Sequence, residues 1–235
     1  MIRIGLVGLL LMTSACQAQS GQSPSAPSSS QFPAASRPVA DIVSSRWSTE
    51  EDRDRLREAD KVMDLAGIAP GMTVADIGAG EGYYTIRLAA RVGAQGRVLA
   101  QDIVPAYRDE LAQRVTRERL DNVSVKLGLP ADPKLPANSF DRVLLIHMYH
   151  EIEAPYEFLW RLRPALRRGG RVVIVDADRP TASHGTPPAL LACELAAVGY
   201  SQVDFKTMPD AGGYIAMYEA RGSAPAPARI KACKA

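Results

Sequence analysis

Two carboxylates and a run of glycines carry the first chemical signal in this chain. Asp76 stands two positions before Gly78-Ala79-Gly80-Glu81-Gly82, and Asp102 closes the next apolar segment. A glycine-rich turn between a strand and a helix brings backbone amides and a helix N-terminus up to a ligand, which suits a nucleotide-like cofactor. A carboxylate beside such a turn can accept two hydrogen bonds from a ribose diol and can attract positive groups. The dinucleotide fingerprint needs Gly or Ala three residues after its second glycine, for close helix–strand packing. Tyr83 occupies that place, which disfavours nicotinamide and flavin cofactors.

The histidines form the second signal. His147, His150 and His184 all fall at or after the carboxyl ends of expected strands, where open α/β sheets bind ligands. His150 with Glu151 suits removal of a proton from a nucleophile, His150 as base or orienting group and Glu151 as its partner. The bland alternatives are that His147 packs under its loop and His184 caps a turn. Imidazole and carboxylate at His147, His150, Glu151, Asp176, Asp178 and His184 would also suit a divalent ion. Polar residues gather at pocket rims without one, and the expectation is no metal.

The elements that must position these residues follow from periodicity. Ser48-Thr49-Glu50-Glu51 reads as a capping box, with Leu56, Ala59, Met63 and Ala66 on one helical face and Gly67 as the stop. Short apolar strands are expected at 73–77, 97–101, 123–127, 142–146 and 171–175. Helices are expected at 84–92, 105–120, 154–168 with a kink at Pro164, and 188–198. Alternation of this kind implies a largely parallel sheet covered on both faces. Segments 202–206 and 214–219 flank Pro209 to Gly213 and suit a hairpin. The expected fold is α/β and Rossmann-like: seven strands, mostly parallel, with a C-terminal antiparallel hairpin and helices on both faces.

With 235 residues the chain is long enough for one such domain. Its 28 basic and 26 acidic residues nearly cancel, which argues against nucleic acid as a partner. Arg3, the apolar run Ile4 to Met12 and Thr13-Ser14-Ala15-Cys16 read as a secretory signal over 1–15. It resembles a lipoprotein leader, which implies export to the cell envelope or periplasm and a lipid anchor to the membrane at Cys16. Residues 16–45, rich in Ser, Pro, Ala and Gln, are expected to be a disordered tether. The domain then spans 46–222, and 223–235 is expected to be a flexible tail. Whether Cys193 and Cys233 pair is left open.

Asp76, the glycine loop and Asp102, with Leu135-Pro136 before Ser139-Phe140-Asp141 and with Arg168-Gly169-Gly170-Arg171, together resemble the class I S-adenosylmethionine-dependent methyltransferases. Gly82-Tyr83-Tyr84-Thr85 and Tyr149-His150-Glu151 are similar to motifs of a group of bacterial envelope methyltransferases. The resemblance implies S-adenosylmethionine as cofactor. Asp76 would then serve the methionine end, Gly78, Ala79 and Gly80 the close backbone approach, and Asp102 the ribose. Ile103, Leu129 and His147 are counted with the cofactor site. Gly128-Leu129-Pro130 stands where many of these enzymes carry an Asp for adenine, and Asp132 comes later. The expected activity is methyl transfer to a small-molecule acceptor. The competing expectation is an envelope lipoprotein that uses the fold as a non-catalytic binding or interaction module.

Overall fold

The computed structural model describes residues 27–42, 49–211 and 213–234. The expected leader, the lipid site at Cys16 and the cap at Ser48 lie outside them.

Two short helices, α1 (Glu50–Arg55) and α2 (Glu58–Leu65), precede the first strand. The cap within the described residues is Thr49, whose hydroxyl accepts from the Asp52 amide. One continuous helix was expected here. The chain breaks instead at Arg57, which takes a left-handed φ of 53°, and Leu56 is left exposed.

The remaining elements alternate: β1 (Thr73–Ile77), α3 (Tyr83–Val92), β2 (Arg97–Asp102), α4 (Pro105–Arg117), β3 (Val123–Leu127), β4 (Phe140–Ile146), α5 (Pro155–Leu162), β5 (Leu166–Asp176), α6 (Pro188–Ala197), β6 (Tyr200–Met208) and β7 (Gly213–Ala220). The helix expected to bend at Pro164 ends before it. A proline nitrogen cannot donate to the helical ladder, so a single 3-10 turn at Arg163–Ala165 leads straight into β5.

The seven strands are ordered β3-β2-β1-β4-β5-β7-β6. Pairings are parallel from β3 through to β5, while β7 runs antiparallel to both β5 and β6. Strand residues alternate between faces, which divides the core in two. Ala75, Ile77, Val143 and Leu145 pack with α5 and α6. Val74, Leu144, Val173 and Val175 pack with α2 and α3.

Two segments expected to be unstructured are built into the domain. Residues 27–42 run across α5 and α6. There Arg37 pairs with Glu194 at 3.0 Å, both side chains fully buried, and Phe32 lies edge-on to Trp160. At the other end Ile230 is buried, Trp160 Nε1 donates to the Pro225 carbonyl, and Cys233 is disulfide-bonded to Cys193 in α6. The two termini of the described chain meet in a bridge between Ser36 and Lys234. Composition predicts disorder here because large apolar residues are scarce. What holds the segments is a buried ion pair, backbone hydrogen bonds and a covalent link.

Candidate functional site

A cavity of about 710 Å³ opens at the carboxyl ends of β1, β2 and β4. The strand order reverses between β1 and β4, the place at which open α/β sheets form a ligand crevice. Asp76, Gly78, Ala79, Gly80, Asp102, Ile103, His147, His150 and Glu151, all expected site residues, line this cavity. Leu129 does not. It is 48% exposed and faces a separate shallow cleft with Lys126 and Asp132, because its bridge with Asp132 turns the chain outward. Pro130 lines the main cavity in its place.

At one end sit the two carboxylates. Asp76 alternates with Ala75 and Ile77, so its side chain is on the α3 side, where the Thr85 hydroxyl donates to it at 2.6 Å. Burial pushes its carboxyl up to about 6, with Asp102 adding repulsion, although the Thr85 hydrogen bond opposes the rise. Asp102 accepts from the Gly80 amide at 2.9 Å through one oxygen and from the Val104 amide at 2.8 Å through the other. It therefore fixes both the glycine loop and the entry to α4. Gly78 has a φ of +67°, and a Cβ there would lie 3.1 Å from Met148 Cγ, so glycine is required on conformational and steric grounds. Gln101 also lines the cavity, and its buried Nε2 has no hydrogen-bond partner among the described residues.

The opposite wall is built around His150. Its ring is 2% exposed, and Nδ1 lies 3.0 Å from Asp176 Oδ1. Asp176 also accepts from the Thr186 hydroxyl at 2.6 Å and from the Ala177 amide at 2.8 Å. A carboxylate only accepts, so Nδ1 carries the proton, and Nε2 is left buried without a hydrogen-bond partner among the described residues. The expected partner was Glu151, but Glu151 Oε1 is 4.0 Å from Nε2; the carboxylate bonded to the ring is Asp176. The reason is local. Residues 149–151 form a 3-10 turn, not an extended stretch, so His150 turns inward onto the end of β5.

That turn is gripped from behind. Arg37 donates to the carbonyls of Tyr149, His150 and Ile152, the Ala40 amide donates to the His150 carbonyl, and the Tyr149 hydroxyl donates to Glu194 at 2.7 Å.

His147 closes a third side. Its Nε2 is 3.3 Å from Glu58 Oε1, which also accepts from Arg53 at 2.6 Å and from the Tyr84 hydroxyl at 2.8 Å. Burial would raise the Glu58 carboxyl, but hydrogen bonds and charge from His147 and Arg53 overcome it and hold it at about 2. Arg53 stacks over the Tyr83 ring at 3.9 Å. This roof of α1, α2 and the start of α3 was not foreseen. Its only trace in the sequence is charge in a helix expected to be amphipathic.

Comparison with known proteins places the chain among methyltransferase-like sequences and folds. Residues 74–170 match the family described as methyltransferase domain. The chain is similar to an arsenite methyltransferase of Halobacterium salinarum, 30% identical over 161 residues, covering 65% of this chain and 40% of the relative. It is also similar to a ubiquinone/menaquinone biosynthesis C-methyltransferase of Hydrogenovibrio crunogenus, 29% identical over 164 residues, with 67% and 58% covered. The chain thus spans less than two thirds of the length of these relatives. Among solved structures, an S-adenosylmethionine-dependent methyltransferase from Aquifex aeolicus superposes with a TM-score of 0.62 at 22% identity, covering 73% of this chain and 97% of that one. The [4+2]-cyclase SpnF superposes with a TM-score of 0.58 at 17% identity, over 76% and 69%. The fold is that of the class I methyltransferases, and S-adenosylmethionine is the cofactor that the family match implies.

Proposed function

We propose that the chain transfers the methyl group of S-adenosylmethionine to a small-molecule acceptor. One observation carries the proposal: a single cavity has cofactor-type carboxylates at one end and a histidine oriented by a buried aspartate at the other. The residues fit the cofactor. Asp76, raised to about 6 with a hydroxyl as its side-chain partner, gains from a cationic group such as the ammonium of the methionine end. Asp102 and the Gly78–Gly80 backbone would take the ribose side, and Ile103, Gln101 and Pro130 the base. S-adenosylmethionine supplies an activated methyl group on a sulfonium. What is asked of the chain is to hold both reactants, exclude water and manage one proton.

His150 supplies the last of these. His150 lines the cavity, and Asp176 fixes the ring and would stabilise the imidazolium once a proton is taken. The relatives' names indicate small acceptors, a metalloid oxyanion in one case and a quinone precursor in another, which supports a small molecule as acceptor. Export is part of the same proposal. The apolar run ending at Cys16 supports it, and a disulfide between Cys193 and Cys233 suits an oxidising compartment. Mass spectrometry of the mature N-terminus tests that part, and an intact Met1 on the cytosolic protein would refute it. The activity is tested by methyl transfer from isotopically labelled cofactor to a panel of phenols, enols and amines. His150→Ala should lower turnover by roughly 10²–10⁴-fold with cofactor affinity kept; unchanged turnover would remove His150 from the chemistry.

A further inference from the structure

The wall of the cavity that holds His150 supports a second arrangement, which uses the same ring. His150, Glu151 and His184 each bring one ligand-type atom to within 4.8 Å of the others. They come from two places, the 3-10 turn after β4 and the turn after β5, and the His150 and His184 rings meet edge to face with centroids 5.5 Å apart. His184 sits in a left-handed conformation at the end of the turn Thr181–Ser183, where its carbonyl accepts from Arg179. Both rings line the same cavity as Glu151.

His150 distinguishes this cluster from a chance gathering of rim residues. The ring is almost wholly buried, and Nε2 has no hydrogen-bond partner among the described residues. An unpaired polar atom at such depth carries a desolvation cost. Its other nitrogen is held by a buried carboxylate, Asp176, which has two further donors of its own. A ring fixed by a carboxylate at one nitrogen and unpaired at the other is the arrangement by which proteins orient a histidine toward a metal ion. The separation of His150 Nε2 from Glu151 Oε1, 4.0 Å, is too long for a hydrogen bond. Two tetrahedral ligands at about 2.0–2.2 Å from one ion lie about 3.3–3.6 Å apart, so the pair has to close by roughly half an ångström to share an ion. Drawing His184 into the same shell from the far end of that 4.8 Å spread takes a shift of roughly 1–1.5 Å, within the reach of a side-chain rotation on a partly exposed turn.

We infer that His150 Nε2, Glu151 and His184 form a binding site for one divalent transition-metal ion, with Asp176 as the residue that positions the His150 ring. Two imidazoles and one carboxylate favour ions such as zinc, iron(II) or cobalt(II) over magnesium or calcium. Three protein ligands leave positions open toward the cavity, where an oxygen of the acceptor can bind. The inference goes beyond the methyl-transfer proposal and does not need it. If both hold, Nε2 is taken by the ion in place of the acceptor's proton, so the base role given to His150 above would be replaced by Lewis-acid activation of the acceptor oxygen, which the ion would supply.

The experiment uses the untagged chain stripped of metal and titrated with zinc or cobalt(II) chloride alone. Calorimetry gives the stoichiometry, and the visible spectrum of bound cobalt reports the ligand field. One ion per chain is expected. Glu151→Gln and His184→Ala, which change partly exposed residues, should each weaken binding at least about tenfold and alter the cobalt spectrum; Asp176→Asn should weaken it by about 10–100-fold. S-adenosylhomocysteine binding, measured on the same samples, shows that each variant is folded and keeps the two proposals apart. Metal uptake without S-adenosylhomocysteine binding would refute the methyl-transfer proposal alone. No stoichiometric uptake by the wild type, or wild-type uptake by both Glu151→Gln and His184→Ala, would overturn the metal site.

Discussion

Asp102 accepts the amide hydrogen of Gly80 at 2.9 Å, so the carboxylate expected to read the ribose also holds the loop that must approach it. Both oxygens are engaged, the second by Val104. Removing the side chain therefore costs ligand contacts and the shape of the loop together. Asp102→Ala should weaken S-adenosylhomocysteine binding by at least about 1.5–3 kcal/mol, roughly ten- to a hundredfold. Calorimetric titration measures it, and wild-type affinity would show that the ribose lies elsewhere.

Asp76 gives a prediction with two opposite signs. Its folded carboxyl is raised from 3.8 to about 6 by burial, so the native state keeps a proton that the unfolded chain releases earlier. Stability is then lost as pH rises from about 3.8 to about 6 and stays lower above that, by up to about 3 kcal/mol. Asp76→Asn should raise the melting temperature at pH 8 while weakening cofactor binding. In the wild type, affinity should fall as pH drops below about 6, because a protonated Asp76 no longer attracts an ammonium. A melting temperature that falls in Asp76→Asn at pH 8, or affinity that is flat from pH 5 to 8, would contradict this assignment.

Arg37 should matter to a site it does not line. It is buried against Glu194 and donates to three carbonyls around His150. Arg37→Met leaves Glu194 with Tyr149 as its side-chain partner among the described residues, and breaking a buried pair from one side costs about 3–5 kcal/mol. A lower denaturation midpoint is expected, together with a turnover loss that exceeds any loss of cofactor affinity. A variant as stable as wild type would show that residues 27–42 do not clamp the 149–151 turn.

The placing of the two carboxylates and the glycine loop at one end of the cavity was legible in the sequence because it depends on backbone conformation. Gly78 and Gly80 announce positive φ, and Asp76 and Asp102 sit at strand ends whose apolar runs are easy to read. The strands were placed to within a few residues except β5, where Leu166 to Gly170 extends the strand past the segment expected for it. The acceptor half depends on long-range packing, which one sequence does not display. Asp176 was marked only as one of several polar residues, and its bond to His150 required knowing that the 3-10 turn points back to β5. Leu129 was misplaced because the bridge to Asp132 turns it outward. The segments 27–42 and 223–234 were read as loose from composition. Composition does not show that Arg37 would find Glu194 or that Cys233 would reach Cys193.

On the proposed function, the cavity between Asp76, Asp102 and His150 holds S-adenosylmethionine. Calorimetric titration of the full chain with S-adenosylhomocysteine tests it most directly. One site per chain is expected, with heat that disappears in Gly80→Val, where a branched side chain would have to adopt the φ of +53° found at that position. No binding to the wild type at millimolar ligand, or equal binding to Gly80→Val, would contradict it.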